Sequence, residues 1–257
     1  MQDKARVNIG RVPIDAVTMA GAVERVAQNL LVDLNRPFVI SGVNAHFANL
    51  AQNDEGLASF LSSSDLNVAD GMSLVVAARL LGSQLPERVT GVDLMVELCG
   101  MAAKSGRTVY LLGGMEGAAE GAASSLTNQY PGLEIVGVDR PPIGGEFDPL
   151  VVAQIRTRIN DSRPDFLFVC LGVPRQEKWI SKFAIDLPVK VVMGNGAAFD
   201  VLAGFFHRPP IWIRNIGMEW LYRLCIEPKR LWKRYVVGNV LFVEHVLAQG
   251  LSHAWRT

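Results

Sequence analysis

Several things are scarce or missing in this 257-residue chain, and each absence narrows what it can be. There are only three cysteines, Cys99, Cys170 and Cys225, far apart and without a CxxC pair. Their apolar neighbours predict buried thiols in a reducing compartment, not a disulfide framework. An excess of one charge is missing too: 25 basic and 25 acidic residues cancel, which argues against a protein that coats nucleic acid. His46, His207, His245 and His253 are scattered without ligand spacing, so no zinc site is expected. The chain has no Asp-x-Asp pair to hold a divalent cation, no GxSxG and no GxGxxG. Runs of about eighteen uncharged apolar residues are absent, so no membrane-spanning helix is expected. The first residues, MQDKARVNIGRVPID, lack the apolar core of a signal peptide. A cytoplasmic protein is the expectation, with contact to a membrane surface left open.

What is present is alternation. Short runs rich in Val, Ile and Leu (FVISGV, LNVA, TVYLLGG, LEIVGVD, FLFVCLG, KVVMG) are separated by stretches with helical spacing. Strands apolar on both faces and divided by helices predict a parallel sheet covered on both sides, an α/β fold of Rossmann type. VNIGRVPID reads as a strand and turn, and Thr18 as the cap of a helix over TMAGAVERVAQNLL. The Pro209-Pro210 pair is the expected boundary between a catalytic core, residues 1–207, and a helical appendage, residues 208–257.

An open parallel sheet binds its ligands beyond the carboxyl ends of its strands. Polar or glycine residues follow five of these runs: Asn44, Asp70, the Gly113-Gly114 pair, Arg175-Gln176-Glu177-Lys178, and Asn195-Gly196. Together they point to one crevice. Gly113-Gly114 opens a helix where backbone N–H groups can receive a phosphate, although glycines in a tight turn read the same way. Asp70, in an Ala-Asp-Gly corner, is either a helix cap for MSLVV or a general base beside a cleft. Arg88 suits a phosphate, or else a simple pair with Asp93. Gln176 is placed to contact a sugar or a uracil edge, or to sit on the surface of a first helical turn.

The stretch from Gly204 to Tyr235 concentrates Arg208, Arg214, Arg223, Lys229, Arg230, Lys233 and Arg234 among Trp212, Trp220, Tyr222, Trp232 and Tyr235. Only Glu219 and Glu227 offset that charge. Cations grip phosphate, and Trp and Tyr favour a boundary between apolar and polar surroundings. The stretch therefore suits an anionic, partly apolar partner such as a membrane surface, or closes the fold as a solvated basic helix pair.

Taken in order, Asn44, Ala69-Asp70-Gly71-Met72, Arg88-Val-Thr-Gly-Val-Asp93, Leu112-Gly113-Gly114, Gly172-Val-Pro-Arg-Gln-Glu-Lys178, Arg208-Pro-Pro, Glu219-Trp-Leu-Tyr-Arg223, Glu227-Pro-Lys-Arg230 and Arg234-Tyr235 resemble the WecG/TagA/CpsF glycosyltransferases. The resemblance runs from about residue 7 to 240. It implies an inverting transferase that moves a sugar (ManNAc, ManNAc-uronate, glucuronate or glucose) from a UDP-sugar to a polyprenyl-diphosphate-linked saccharide. That chemistry belongs to bacterial surface polysaccharide synthesis at the inner face of the cell membrane, without a metal cofactor. The family's general base maps to Asp70. Its pocket Asn, Arg and Gln map to Asn44, Arg88 and Gln176, and its appendage arginines best to Arg214, Arg223, Arg230 and Arg234. Many members carry Thr two residues before the pocket Asn, where this chain has Gly42 with Ser41 beside it. Either Ser41 supplies that hydroxyl or the donor differs.

Two other classes compete with the transferase reading. An NAD-type oxidoreductase on the same sheet would need GxGxxG after its first strand, where VNIGRVPID offers one glycine. A non-catalytic membrane-docking module would leave Asp70, Arg88 and Gln176 unexplained.

Overall fold

The computed structural model describes residues 5–32 and 35–254. It opens with an antiparallel hairpin, β1 (Arg6–Ile9) and β2 (Val12–Asp15), turning at Gly10 with φ of 60°. The expected strand and turn is thus a two-stranded unit outside the main sheet. The six remaining strands are β3 (Phe38–Val43), β4 (Leu66–Ala69), β5 (Thr108–Gly113), β6 (Glu134–Asp139), β7 (Phe166–Cys170) and β8 (Val191–Gly194). They form one parallel sheet in the order β4-β3-β8-β7-β5-β6. Every residue of β3, β4, β7 and β8 is buried, as strands covered on both faces require.

Each face carries its own apolar core. One is built with α2 (Ala45–Asn53), α3 (Glu55–Ser63), α4 (Met72–Leu80), α7 (Pro149–Ser162) and α8 (Arg175–Trp179), the last running into a π-helical turn at Ile180–Ala184. The other is built with α1 (Met19–Asn29), α5 (Gly91–Lys104), α6 (Ala118–Gln129) and α9 (Ala198–Leu202). Thr18 caps α1 as expected, its hydroxyl accepting from the Gly21 amide. The sequence reading passed over α3, whose start is fixed by Asp54 accepting from the Leu57 amide at 3.0 Å.

After Pro209-Pro210 come α10 (Ile211–Asn215), α11 (Glu219–Ile226), α12 (Pro228–Trp232), a π-helical turn at Lys233–Val237 and α13 (Gly238–Ala254). Phe242 and Val246 of α13 are buried against the α2 side of the core, and Asn49 donates to the Gly238 carbonyl at 2.6 Å. Gln249 reaches the hairpin, accepting from the Gly10 amide at 2.7 Å and donating to the Asn8 carbonyl at 2.9 Å. One expectation needs correction. Cys99 and Cys170 are buried thiols, but Cys225 is exposed, because α11 leaves no residue fully buried.

The hairpin is pinned to the sheet by one carboxylate. Buried Asp15 accepts from Arg25 at 2.7 Å, from Arg6 at 3.2 Å and from the Asn67 amide of β4 at 2.8 Å. Removing one partner of such a cluster strands the others without compensation. Asp15→Ala should therefore lower unfolding stability by about 3 kcal/mol. A urea midpoint unchanged from the parent would show that the hairpin is not held this way.

Candidate active site

The carboxyl ends of the strands open into a cavity of about 1170 Å³, one wall of which is built by the C-terminal helices. Val43 pairs with Ala69, so the next residues, Asn44 and Asp70, emerge side by side at neighbouring strand ends. Gly194 pairs with Val169 and Ser41, bringing Asn195 out on the adjoining strand. All three of these polar residues line the cavity.

Asp70 does not cap α4. The residue at that cap is Gly71, with no side-chain bond. The Asp70 carboxylate instead accepts from the backbone amide of Gly91 at 3.1 Å, the first residue of α5. Loss of water pushes its pKa up to about 6; the Gly91 amide works against this, Glu219 adds to it, and Arg223 and Arg88 oppose it. A carboxylate of that basicity is ionised at neutral pH and can still accept a proton in a reaction.

Arg88 does not pair with Asp93. It donates to Glu219 of α11 at 3.3 Å, and Arg223, one turn further along that helix, lies 3.4 Å from the other oxygen of the same carboxylate. Both arginines line the cavity. The partner of Asp93 is Arg208, which grips it with two bonds of 2.6 and 3.0 Å. Burial opposes ionisation of Asp93, but the bonds from Arg208 and Thr90 outweigh it and hold the carboxyl below its ordinary range.

Asn195 is 8% exposed, and neither end of its side-chain amide has a hydrogen-bond partner. A buried amide left open costs stability, and this one stands in the cavity wall with both ends free to bond. Asn44 is partly committed: its side-chain oxygen caps α2, accepting from His46 and Phe47 at 3.0 and 3.3 Å. Gln176 is not a surface residue; it lines the cavity with its amide already engaged. It is 1% exposed, accepts from the Gly196 amide at 2.9 Å and donates to Glu177 at 2.7 Å, fixing the turn that presents Asn195. Buried Glu177 has its pKa pushed up to about 7 by that burial.

Ser41 is buried in β3 and is not among the cavity-lining residues, whereas Gly42 is. Successive strand residues point to opposite faces, which is why the neighbouring hydroxyl does not reach the place of a missing side chain. The glycine pair is also more structural than the sequence suggested. A β-carbon on Gly113 would collide with the Cys170 carbonyl. The Gly114 amide donates to that carbonyl at 2.8 Å, and the Met115 amide to Asp200 at 2.8 Å. Those N–H groups are already committed, so a phosphate would have to displace them.

Sequence reasoning missed one wall. Arg140, Pro141, Pro142, Ile143 and Glu146, between β6 and α7, line the cavity, with Arg175 paired to Glu146 at 3.2 Å. The signal was available, because Asp139-Arg140-Pro141-Pro142 ends a sixth apolar run. Of the C-terminal arginines, Arg223 and Arg208 line the cavity and Arg214 does not, its Nε being buried without a partner. The Arg230 and Arg234 side chains lie outside the described residues. Among the described residues no three of His, Cys, Asp and Glu gather as a metal site.

A model of the glycosyl transferase WecG/TagA/CpsF family matches residues 7–256. The chain belongs to this family. As a member, it is similar to the N-acetylglucosaminyldiphosphoundecaprenol N-acetyl-β-D-mannosaminyltransferase of Bacillus subtilis (strain 168), 37% identical over 76% of this chain and 74% of that protein. The enzyme of the same name in Staphylococcus aureus (strain MRSA252) is 30% identical over 88% of this chain and 87% of its own length. Membership of a glycosyltransferase family removes the oxidoreductase and simple docking-module readings.

The raised pKa of Asp70 has a consequence for stability. Its ordinary value is 3.8 and its folded value about 6, so burial of the charged form counts against the fold once pH rises through this window. As the pH falls below the ordinary value the group becomes protonated in both states and the penalty vanishes. Asp70→Asn, which keeps an oxygen for the Gly91 amide, should therefore stabilise the protein at pH 8, by at most about 3 kcal/mol. That gain should fade by pH 4. Equal stability of the two proteins across this range would refute the assignment of a water-deprived carboxylate.

Proposed function

We propose that this protein is an inverting glycosyltransferase that moves an N-acetylhexosamine of ManNAc type from a UDP-sugar to a polyprenyl-diphosphate-linked acceptor. The observation that carries this reading is a basic carboxylate, Asp70, in a cavity wall beside two arginines and an unpartnered amide. Similarity to enzymes named for an N-acetylglucosaminyldiphosphoundecaprenol acceptor supports the choice of substrates. The ManNAc-uronate, glucuronate and glucose donors stay within the same chemistry.

Asp70 takes the proton from the acceptor hydroxyl as that oxygen attacks the anomeric carbon, and the bond to the UDP oxygen breaks with inversion. Negative charge grows on the leaving diphosphate, where Arg88 and Arg223 stabilise it without a divalent cation. Asn195 orients the sugar, with Gln176 holding its turn from beneath. Gly114 to Glu116, the Arg140–Pro142 wall and Arg175 receive the nucleotide end. At the opposite end the cavity becomes apolar, between Met72, Val76 and Leu80 of α4 and Phe242, Val246 and Leu247 of α13. An isoprenoid tail suits that end.

Residues 208–257 act, in this reading, as an appendage that meets the inner face of the cell membrane. Ile211, Trp212, Ile216, Val240 and Leu251 are each more than 60% exposed, and cations stand among them. No helix among the described residues is long and apolar enough to cross a membrane, so the contact is peripheral. Basic residues near an anionic surface contribute roughly 1 kcal/mol each, which makes attachment reversible and salt-sensitive.

The decisive experiment is UDP release by the purified protein from a panel of UDP-sugars, with and without a lipid-diphosphate acceptor. Release should depend on the acceptor, persist in excess EDTA, and fall about a hundredfold or more in Asp70→Asn while UDP binding survives. A fully active Asp70→Asn enzyme, or loss in EDTA with rescue by magnesium or manganese, would overturn the proposed chemistry. In a flotation assay the protein should rise with anionic vesicles at low salt and leave them at high salt. Flotation unaffected by salt would mean that the basic stretch is not the anchor.

A further inference from the structure

The proposed base stands in an awkward place. Arg88 and Arg223 are near enough to hold a leaving diphosphate, and for the same reason both lower the basicity of Asp70. Arg208 lies within the same field, although its charge is largely taken up by Asp93. Two cations acting alone would turn Asp70 into an ordinary weak base. Glu219 changes this balance. Its carboxylate spans both guanidinium groups, 3.3 Å from Arg88 and 3.4 Å from Arg223, with its side chain 21% exposed. It also faces Asp70 with like charge.

Each of these contacts is single and long, so neither contributes much to stability. The placement is what matters. Arg88 belongs to the loop before α5, while Glu219 and Arg223 are one turn apart on α11, so a single carboxylate fixes the spacing of two cations from different parts of the chain. Resting on the reading of Asp70 as the base, we propose that Glu219 is a positioning residue that holds Arg88 and Arg223 for the diphosphate and shields Asp70 from their charge. The base and the diphosphate clamp then share one cavity without cancelling each other. The groups that face Asp70 are the Gly91 amide from α5, Arg88 from the preceding loop, Arg208 from the segment before α10, and Glu219 and Arg223 from α11.

Glu219→Gln tests this, because it keeps the shape and removes the charge. The Asp70 titration can be followed by carboxyl NMR in protein labelled with carbon-13 aspartate, and assigned by its disappearance in Asp70→Asn. In Glu219→Gln it should move to lower pH by about half a unit or more. The acid limb of kcat/KM should move with it, and kcat should fall about tenfold while UDP affinity changes less than threefold. Removing Arg223 as well, in Glu219→Gln/Arg223→Gln, should return the titration towards its original position. A merely structural tie would lower the melting temperature and leave the titration where it was, and that result would overturn the proposal. If Glu219→Gln does not fold, Glu219→Asp draws the charge back by one methylene and should give a smaller shift in the same direction. An unmoved titration there counts equally against it. The NMR readout needs no turnover. A wild-type protein that transfers no sugar, with an Asp70 titration that still responds to Glu219, would remove the transferase reading and with it the catalytic role, leaving only the electrostatic coupling of Glu219 to Asp70.

Discussion

A half-buried carboxylate in the cavity wall, its pKa raised to about 6, is the feature around which the site is arranged. Asp70 has one backbone donor among the described residues, the Gly91 amide, and its remaining surroundings are set by charge and exclusion. Parallel strands bring Asp70, Asn44 and Asn195 out at one edge, and nothing in the sheet itself covers them. The cover comes from helices that follow Pro209-Pro210, tied down by Arg208 on Asp93 and by Glu219 on Arg88. Cavity wall and the charges that face Asp70 therefore depend on the same helices.

The sheet was legible in the sequence because strands covered on both faces spell continuous apolar runs, and the residues that follow such runs are fixed by the strands themselves. Asn44, Asp70 and Asn195 were found by that logic alone. Partners were much less legible. Arg88 stands five residues before Asp93, yet its partner is Glu219, 131 positions away, and the partner of Asp93 is Arg208, 115 positions away. Proximity along the chain favours near pairs only when the backbone does not turn between them, and here α5 begins inside the interval. Gln176 and the Gly113-Gly114 pair carry structural duties that the sequence did not show, for a related reason. A polar group after a strand can serve the ligand or the turn that carries the ligand, and sequence spacing is the same for both. Ser41 shows the reverse: alternation along β3 already turned it away from the cavity.

The C-terminal helices carry two kinds of surface at once. Inward they present Glu219, Arg223, Phe242 and Val246 to the cavity; outward they present Ile211, Trp212, Ile216, Val240 and Leu251. The basic, aromatic stretch drew attention in the sequence, but much of the exposed apolar surface belongs to α13, beyond it. The helix is mostly apolar and carries no Lys or Arg, so a reading based on cations passes over it.

The Gln249 side chain joins the far end of α13 to the hairpin at the start of the chain, and Asp15 joins that hairpin to β4, the strand that leads into Asp70. Side-chain hydrogen bonds thus close a ring between the two ends of the chain and the strand beneath the carboxylate. The hairpin contributes no side chain to the cavity lining, yet it is the piece through which the last helix and β4 are joined.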